Sequence, residues 1–182
     1  MNILQHTEKI WTIQNFLSQK ECEDLILLSE NIGYREAEIN LTSGAKMMKN
    51  IRNNDRLLYQ DNQLALRYWQ KLKAFCPESI ENNIAIGLNE QFRFYKYEIN
   101  QRFKRHIDGR FRRDENEESR ITFIIYLNDD FEGGETIFDE LTIQPFMGDA
   151  LCFVHEQKHE GAIVTNGVKY VLRSDVMYKK MV

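Results

Sequence analysis

Short β-type segments fill the second half of this chain, and they constrain its fold more than any other feature. From about Asn89, short runs rich in aromatic and β-branched residues are separated by clusters of Gly, Asn and Asp. The runs are FRFYKY, SRITFIIYL, ETIF, LTIQPF, DALCFV, EGAIV and VKYVLRSDVMY. Strands at this spacing are typical of a β-sandwich or barrel. We therefore predict a jelly roll, or double-stranded β-helix, over residues 89–178.

Residues 1–88 are predicted to be mainly helical. Ser18 and Glu21 have the spacing of a capping box, and the apolar residues that follow keep helical spacing up to Gly33. A second helix is predicted to begin at Asp61 and to run through LALRYWQKLKAF. We expect these N-terminal helices to pack on one face of the jelly roll, which gives an α+β fold.

The length and composition of the chain suit one domain that covers residues 1–182. A chain of 182 residues with 42% hydrophobic residues can bury a full core. The net charge of −4 gives no argument for a nucleic-acid partner, and no apolar run is long enough to span a membrane. The three cysteines are scattered without a CxxC spacing, and the N-terminus does not resemble a signal peptide. We therefore expect reduced thiols and a cytoplasmic protein.

A His-x-Asp pair, His106 and Asp108 in RFKRHIDGRF, is the strongest chemical signal in the sequence. In an extended strand both side chains point to the same side, with Ile107 turned away. A third ligand, such as His159 in KHEGAIV, would have to come from another strand. Two imidazoles and one carboxylate form the facial triad of non-haem Fe(II) sites. An isolated His-x-Asp is more often a pair of surface residues, so the surrounding sequence has to decide.

Further motifs follow this pair in a fixed order. They are YLN with a Gly-Gly turn and ET, Gly-Asp before an apolar strand, and HEG followed by Gly-x-Lys. Together with HxD they closely resemble the prolyl 4-hydroxylase-like branch of the Fe(II)- and 2-oxoglutarate-dependent dioxygenases. The resemblance spans residues 90–178. The front half, with RNNDR at 52–56, also resembles these enzymes but is less diagnostic.

The resemblance implies a role for each of several residues. His106, Asp108 and His159 would bind the iron. Lys169 would pair with the distal carboxylate of 2-oxoglutarate, a dianion that a buried cation both fixes and selects. Arg173 lies four residues further on the same strand face, and its guanidinium could form a bidentate pair instead. We favour Lys169 because of its spacing.

Aromatic residues and other histidines complete the implied site. Tyr126, in YLN, resembles a tyrosine whose hydroxyl meets the same carboxylate, and Tyr97 resembles an aromatic residue that lines the same pocket. His155 and His6 compete with His159 as ligands on residue type alone. The HEG context favours His159, and we interpret His155 as a structural or supporting residue.

Two aspartates and several basic residues leave alternatives open. Asp149 follows a glycine and is interpreted as a turn residue, while Asp175 shares strand parity with Arg173 and could neutralise it. Arg52 and Arg56, which flank NND, are predicted to lie near the substrate. A further basic group is interpreted as a solvated face balanced by nearby acidic residues, and it consists of Arg102, Lys104, Arg105, Arg110, Arg112 and Arg113.

The implied activity is hydroxylation of a C–H bond, with a prolyl residue of a peptide or protein as the preferred substrate. The implied cofactors are Fe(II), 2-oxoglutarate and O2, with ascorbate as an accessory reductant. One alternative is a hydroxylase of a small molecule or free amino acid, which a closed pocket would favour. A second is a non-catalytic jelly-roll binding module. A structural zinc site is disfavoured, because such sites usually have four protein ligands.

Overall fold

Two antiparallel sheets stacked against each other form the centre of this computed structural model. The structure describes residues 1–36, 39–41, 44–46 and 53–181. The helices are α1 (Gln19–Ile32) and α2 (Asn62–Leu72), and a 3-10 turn (Lys73–Phe75) follows α2. The strands are β1 (Asn2–Thr7), β2 (Ile10–Gln14), β3 (Arg35–Glu36), β4 (Ile39–Leu41), β5 (Gly44–Lys46), β6 (Asp55–Gln60), β7 (Ser79–Ile80), β8 (Asn83–Leu88), β9 (Gln91–Tyr97), β10 (Phe103–His106), β11 (Glu117–Tyr126), β12 (Glu132–Gly133), β13 (Thr136–Ile137), β14 (Thr142–Ile143), β15 (Ala150–Val154), β16 (His159–Gly161), β17 (Val164–Asn166) and β18 (Lys169–Lys180).

The strand order is that of a jelly roll. The large sheet has the order β1-β2-β15-β11-β18-β9-β6-β3, with β8 beside the C-terminal part of β18 and β7 beside β8. The small sheet has the order β10-β16-β13-β14. Neighbouring strands such as β10 and β16 are far apart in sequence, which is how this fold brings distant motifs together. The predicted double-stranded β-helix is confirmed.

The two helices have the predicted starts and cover one face of the large sheet. Ser18 caps α1 in a complete capping box with Glu21, and Asp61 caps α2. Their buried residues join the large-sheet residues Phe92 and Phe123 in the main apolar core. The opposite face of the large sheet is left for the small sheet.

The alternation along β11 and β18 separates these two faces. Ile121, Phe123 and Ile125 belong to the core below the helices, while Ile124 and Tyr126 pack in a second cluster between the sheets. On β18, residues 169, 171, 173 and 175 share the inner face, because side chains alternate along a strand. The inner face therefore carries the polar residues whose roles the sequence predicted.

The prediction that residues 1–88 are mainly helical is wrong. β1, β2, β6 and β8 all come from this part, and they extend the large sheet at both sides. β2 is only five residues long and pairs with β15, so it is stabilised by tertiary pairing that no local periodicity reveals. No helix in the described ranges is long and apolar enough to cross a membrane.

Candidate active site

His106, Asp108 and His159 meet at one wall of a cavity between the two sheets. His106 ends β10, His159 begins β16, and the two residues are directly paired in the small sheet. Asp108 follows β10 in a loop, so the predicted strand does not continue through it, although Ile107 is turned outward and 58% exposed. One donor atom from each of the three residues lies within 4.8 Å of the others. The predicted ligand set is thus brought together.

Both imidazoles are oriented by backbone carbonyls. The Nδ1 of His106 lies 2.7 Å from the carbonyl oxygen of Lys104, and the Nδ1 of His159 lies 2.9 Å from that of Gln157. A carbonyl only accepts, so Nδ1 carries a proton in each ring and Nε2 is the nitrogen that is available to a metal. Burial lowers the pKa of His159 to about 4, which keeps this ring neutral at neutral pH. Phe103 stacks on His106 at 3.5 Å between ring centroids.

The Asp108 carboxylate is buried but stays ionised. Burial alone would raise its pKa, but the Arg173 guanidinium and the two imidazoles outweigh this effect and hold the pKa well below its usual range. Arg173 Nη1 lies 3.0 Å from Asp108 Oδ1, and the Thr122 hydroxyl donates to Oδ2 at 2.6 Å. The site therefore offers two imidazole nitrogens and one anionic oxygen.

Arg173 belongs to a paired network. Besides Asp108, it contacts Asp175, whose other oxygen accepts from Arg93 at 2.8 Å. The prediction that Asp175 neutralises Arg173 is therefore confirmed. The positive charge of Arg173 is therefore already balanced by carboxylates of the protein.

Lys169 lies in the same cavity in a different environment. It is 4% exposed, donates to the carbonyl of Gly134, and has no carboxylate at ion-pair distance among the described residues. Its ammonium instead lies 5.5 Å from the ring centroid of Tyr97 and 5.4 Å from that of Tyr126. Burial lowers its pKa to about 8. An anionic ligand could therefore pair with the Lys169 ammonium, which has no carboxylate partner in the described chain.

The two predicted tyrosines line the cavity beside Lys169. Tyr126 is 1% exposed, and its hydroxyl hydrogen-bonds to Thr136 Oγ1 at 2.7 Å. Tyr97 is paired directly with Lys169 in the large sheet. The cavity is lined by both the three-residue cluster and the lysine.

Comparisons with known proteins agree with this geometry. The family model described as the 2OG-Fe(II) oxygenase superfamily matches residues 92–174. These bounds include every residue of the cluster and Lys169. This part of the chain is similar to the 2OG-Fe(II) oxygenase superfamily. Among curated protein sequences, none is similar enough to count as a match.

Several solved structures share the fold of this chain. A viral collagen prolyl hydroxylase from Paramecium bursaria Chlorella virus-1, solved with 2-oxoglutarate, is 20% identical with a TM-score of 0.69, covering 94% of this chain and 97% of the other. A Pseudomonas putida prolyl-4-hydroxylase is 16% identical with a TM-score of 0.69, covering 97% and 95%. A Trichoplax adhaerens prolyl hydroxylase, solved with a hypoxia-inducible-factor peptide, is 18% identical with a TM-score of 0.70, covering 93% and 84%.

The similarity of residues 92–174 to this superfamily implies Fe(II) as the cofactor, 2-oxoglutarate as the co-substrate and O2 as the oxidant. The donor set fits Fe(II), because two imidazoles and one carboxylate are the ligands that such centres use while leaving other coordination positions open. The cavity also fits the co-substrate, since a dianion needs a cation and Lys169 has no other carboxylate partner in the described chain.

Some predicted residues lie elsewhere. Arg52 lies outside the described residues. Arg56 does not line the cavity. It pairs with Tyr95 on the neighbouring strand, so its side chain lies on the same face of the large sheet as that of Tyr95, which does line the cavity. His6 contacts Thr12 near the N-terminus and takes no part in the cluster. Asp149 binds the backbone of a loop residue, in agreement with a structural role.

The basic group is mostly ion-paired. Arg105 contacts Asp139, Arg110 contacts Glu118 and Glu156, Arg112 contacts Glu118, and Arg113 contacts Glu90 and Glu117. This supports the interpretation of a charge-balanced surface. Two of the acidic partners, Glu117 and Glu118, are the first residues of β11.

Four residues of the site were not assigned a specific contact by sequence reasoning. Thr122, four residues before Tyr126, shares its strand face and could have been found by parity in RITFIIYL. Thr136 and Phe103 depend on tertiary contacts that the sequence does not reveal. His155 was expected to support the site, but its partners were unknown.

Proposed function

We propose that this protein hydroxylates a C–H bond of a prolyl residue in a peptide or protein. In this reaction 2-oxoglutarate and O2 are consumed, succinate and CO2 are released, and one oxygen atom enters the substrate as a hydroxyl group. One observation carries the proposal. A single cavity contains the His106, Asp108 and His159 cluster together with the buried ammonium of Lys169.

In this proposal the cluster holds the metal. His106 and His159 bind through Nε2, because the Nδ1 of each ring contacts a backbone carbonyl instead. Asp108 supplies one anionic oxygen. When bound, Fe(II) supplies the oxidation chemistry with O2 and 2-oxoglutarate. The protein contributes the ligand geometry and excludes water from the buried cavity.

Lys169 is proposed to pair with the distal carboxylate of 2-oxoglutarate. A buried cation without an anionic partner is costly, and a bound carboxylate removes that cost. The hydroxyl group of Tyr126 and the ring of Tyr97 are proposed to complete this end of the pocket. Arg173 is a weaker candidate, since Asp108 and Asp175 already occupy its guanidinium.

Two observations support a peptide as the substrate. The solved structures with this fold include a collagen prolyl hydroxylase and a prolyl hydroxylase with a bound peptide. The cavity is narrow, and 2-oxoglutarate must share it. A substrate can then insert only a small group, such as a proline ring. Arg56 is proposed to contact the part that stays outside.

We also propose a cytoplasmic location. The three cysteines form no disulfide, and two of them are buried. Unpaired thiols are usual for proteins in a reducing compartment, which supports this location.

The proposal can be tested with purified protein, Fe(II), ascorbate and 2-oxoglutarate. Succinate should form slowly alone and faster with a peptide substrate, and mass spectrometry should find one added oxygen atom on a proline. His106→Ala and Asp108→Ala should abolish both signals. His6→Ala removes a histidine outside the cavity and should leave both unchanged.

The same assay separates the competing functions. Free proline, other amino acids and proline-rich peptides are compared at equal concentration. Hydroxylation of a free amino acid without any peptide product would favour the small-molecule alternative. If the wild-type protein neither binds 2-oxoglutarate nor forms succinate with any substrate, the proposed activity is wrong.

A further inference from the structure

A chain of hydrogen bonds runs through the protein interior to the carboxylate of Asp108. It begins at the backbone of Phe111 and passes through Ser119, His155 and Thr122. We infer that His155 is a positioning residue, which acts through Thr122 to hold the Asp108 carboxylate in the orientation required for metal binding. This inference rests on the proposed function, in which Asp108 binds the iron.

The distances make the chain continuous. The Phe111 amide donates to Ser119 Oγ at 2.8 Å, and Ser119 Oγ lies 2.8 Å from His155 Nε2. His155 Nδ1 lies 2.8 Å from Thr122 Oγ1, which donates to Asp108 Oδ2 at 2.6 Å. His155 is 1% exposed, and Ser119 and Thr122 are fully buried, so water cannot easily replace these contacts.

The direction of each bond follows from counting protons. Thr122 has one hydroxyl proton and gives it to Asp108, so its oxygen must accept from His155 Nδ1–H. Burial lowers the pKa of His155, which is therefore neutral with an unprotonated Nε2. That nitrogen accepts from the Ser119 hydroxyl, and Ser119 in turn accepts from the backbone amide of Phe111. Every donor is used once, and only one tautomer of His155 fits.

The consequence for Asp108 is a fixed carboxylate plane. Thr122 occupies one lone pair of Oδ2, while Arg173 occupies one lone pair of Oδ1. A carboxylate has about four lone-pair sites, so one on each oxygen remains for a metal. Without the Nδ1–H of His155, the Thr122 hydroxyl would be free to rotate away from Asp108. Partners of this kind typically contribute about 10- to 100-fold to metal affinity.

Binding of Co(II) to the purified protein tests this role. Co(II) takes the same nitrogen and oxygen ligands as Fe(II), is stable in air, and gives a visible absorption spectrum that reports its coordination. Thr122→Val removes the hydroxyl at nearly constant shape and should weaken Co(II) binding by about tenfold or more. Thr122→Ser keeps the hydroxyl and should restore most of the affinity and the wild-type spectrum.

Two variants of His155 separate positioning from simple space filling. The amide nitrogen of His155→Asn can take the place of Nδ1 and still donate to Thr122. His155→Gln reaches the position of Nε2, next to Ser119, and loses the bond to Thr122. We expect His155→Asn to bind Co(II) several-fold more tightly than His155→Gln. If His155 only fills space, the two variants should bind equally well, or the larger Gln should bind better.

Further controls keep the outcomes distinct. Thr12→Val removes a hydroxyl that contacts His6 outside the cavity, and it should change neither Co(II) affinity nor its spectrum. Thermal unfolding of each metal-free variant reports any loss of folding. If Asp108→Ala abolishes Co(II) binding but every Thr122 and His155 variant binds like the wild type, the inference is overturned and the proposed function stands. If Asp108→Ala binds Co(II) like the wild type, both fall.

Discussion

Two cationic side chains on one face of β18 have opposite environments. Arg173 contacts two carboxylates, those of Asp108 and Asp175, at 3.0 Å each. Lys169, four residues earlier, is buried against aromatic rings and one backbone carbonyl, without a carboxylate partner in the described chain. A buried charge that is paired is part of the folded structure, whereas a buried charge without a partner is destabilising until a ligand arrives. Arg173 is therefore a structural cation, whereas Lys169 is available to pair with an anionic ligand.

Removal of Arg173 should have the largest effect on stability. Arg173→Met leaves Asp108 and Asp175 buried with fewer cationic partners, and breaking a buried pair typically costs about 3–5 kcal/mol. Urea unfolding of the metal-free protein should show a loss of this order. Lys96→Met is the matched control, because Lys96 pairs with Glu30 nearer the surface and exposed pairs contribute about 0–1 kcal/mol. Equal losses in the two variants would contradict the structural role of Arg173.

The stability of the metal-free protein should depend on pH through Lys169. Its pKa is about 8 in the folded state against a usual value of 10.5, so the unfolded chain binds more protons between these values. Stability should therefore rise as the pH increases from about 8 to 10.5, by up to roughly 3 kcal/mol. Lys169→Met should remove this rise. The difference between the two pH profiles then gives the contribution of Lys169 separately from that of other titrating groups. A pH profile identical in both proteins would show that Lys169 is not buried as a cation.

Local sequence patterns predicted the helix starts at Ser18 and Asp61 and the shared face of Lys169 and Arg173. With help from the resemblance they also identified the three cluster residues, although Asp108 lies in a loop after β10 and not on a strand. They did not predict β2 or the pairing of Arg173 with Asp108, because both depend on segments distant in sequence. Spacing alone ranked Lys169 above Arg173 as the carboxylate partner, and the difference in their partners is a tertiary property that only the structure could supply.

Lys169→Met should weaken binding of 2-oxoglutarate without reducing the stability of the metal-free protein. A charge-assisted hydrogen bond contributes about 1.5–3 kcal/mol, so affinity should fall by roughly 10- to 100-fold. Calorimetric titration of 2-oxoglutarate into the Co(II)-loaded protein measures this loss. Arg173→Lys keeps a cation in the paired network and should retain more affinity than Lys169→Met. A greater loss in Arg173→Lys would reverse the assignment of the two cations.

The smallest expected effect tests the backbone behind Lys169. Gly134 has a positive φ of +70°, and a Cβ there would lie 3.1 Å from Lys169 Cδ and 3.0 Å from the Phe131 ring. Gly134→Ala should cost about 1–2 kcal/mol through its backbone conformation and displace the lysine, lowering 2-oxoglutarate affinity a further few-fold. Gly33→Ala is the control, since Gly33 also has a positive φ but nothing lies within 4 Å of its Cβ position. Both variants should lose stability, and only Gly134→Ala should lose affinity, because only there does the added methyl group contact the cation that we propose binds the ligand.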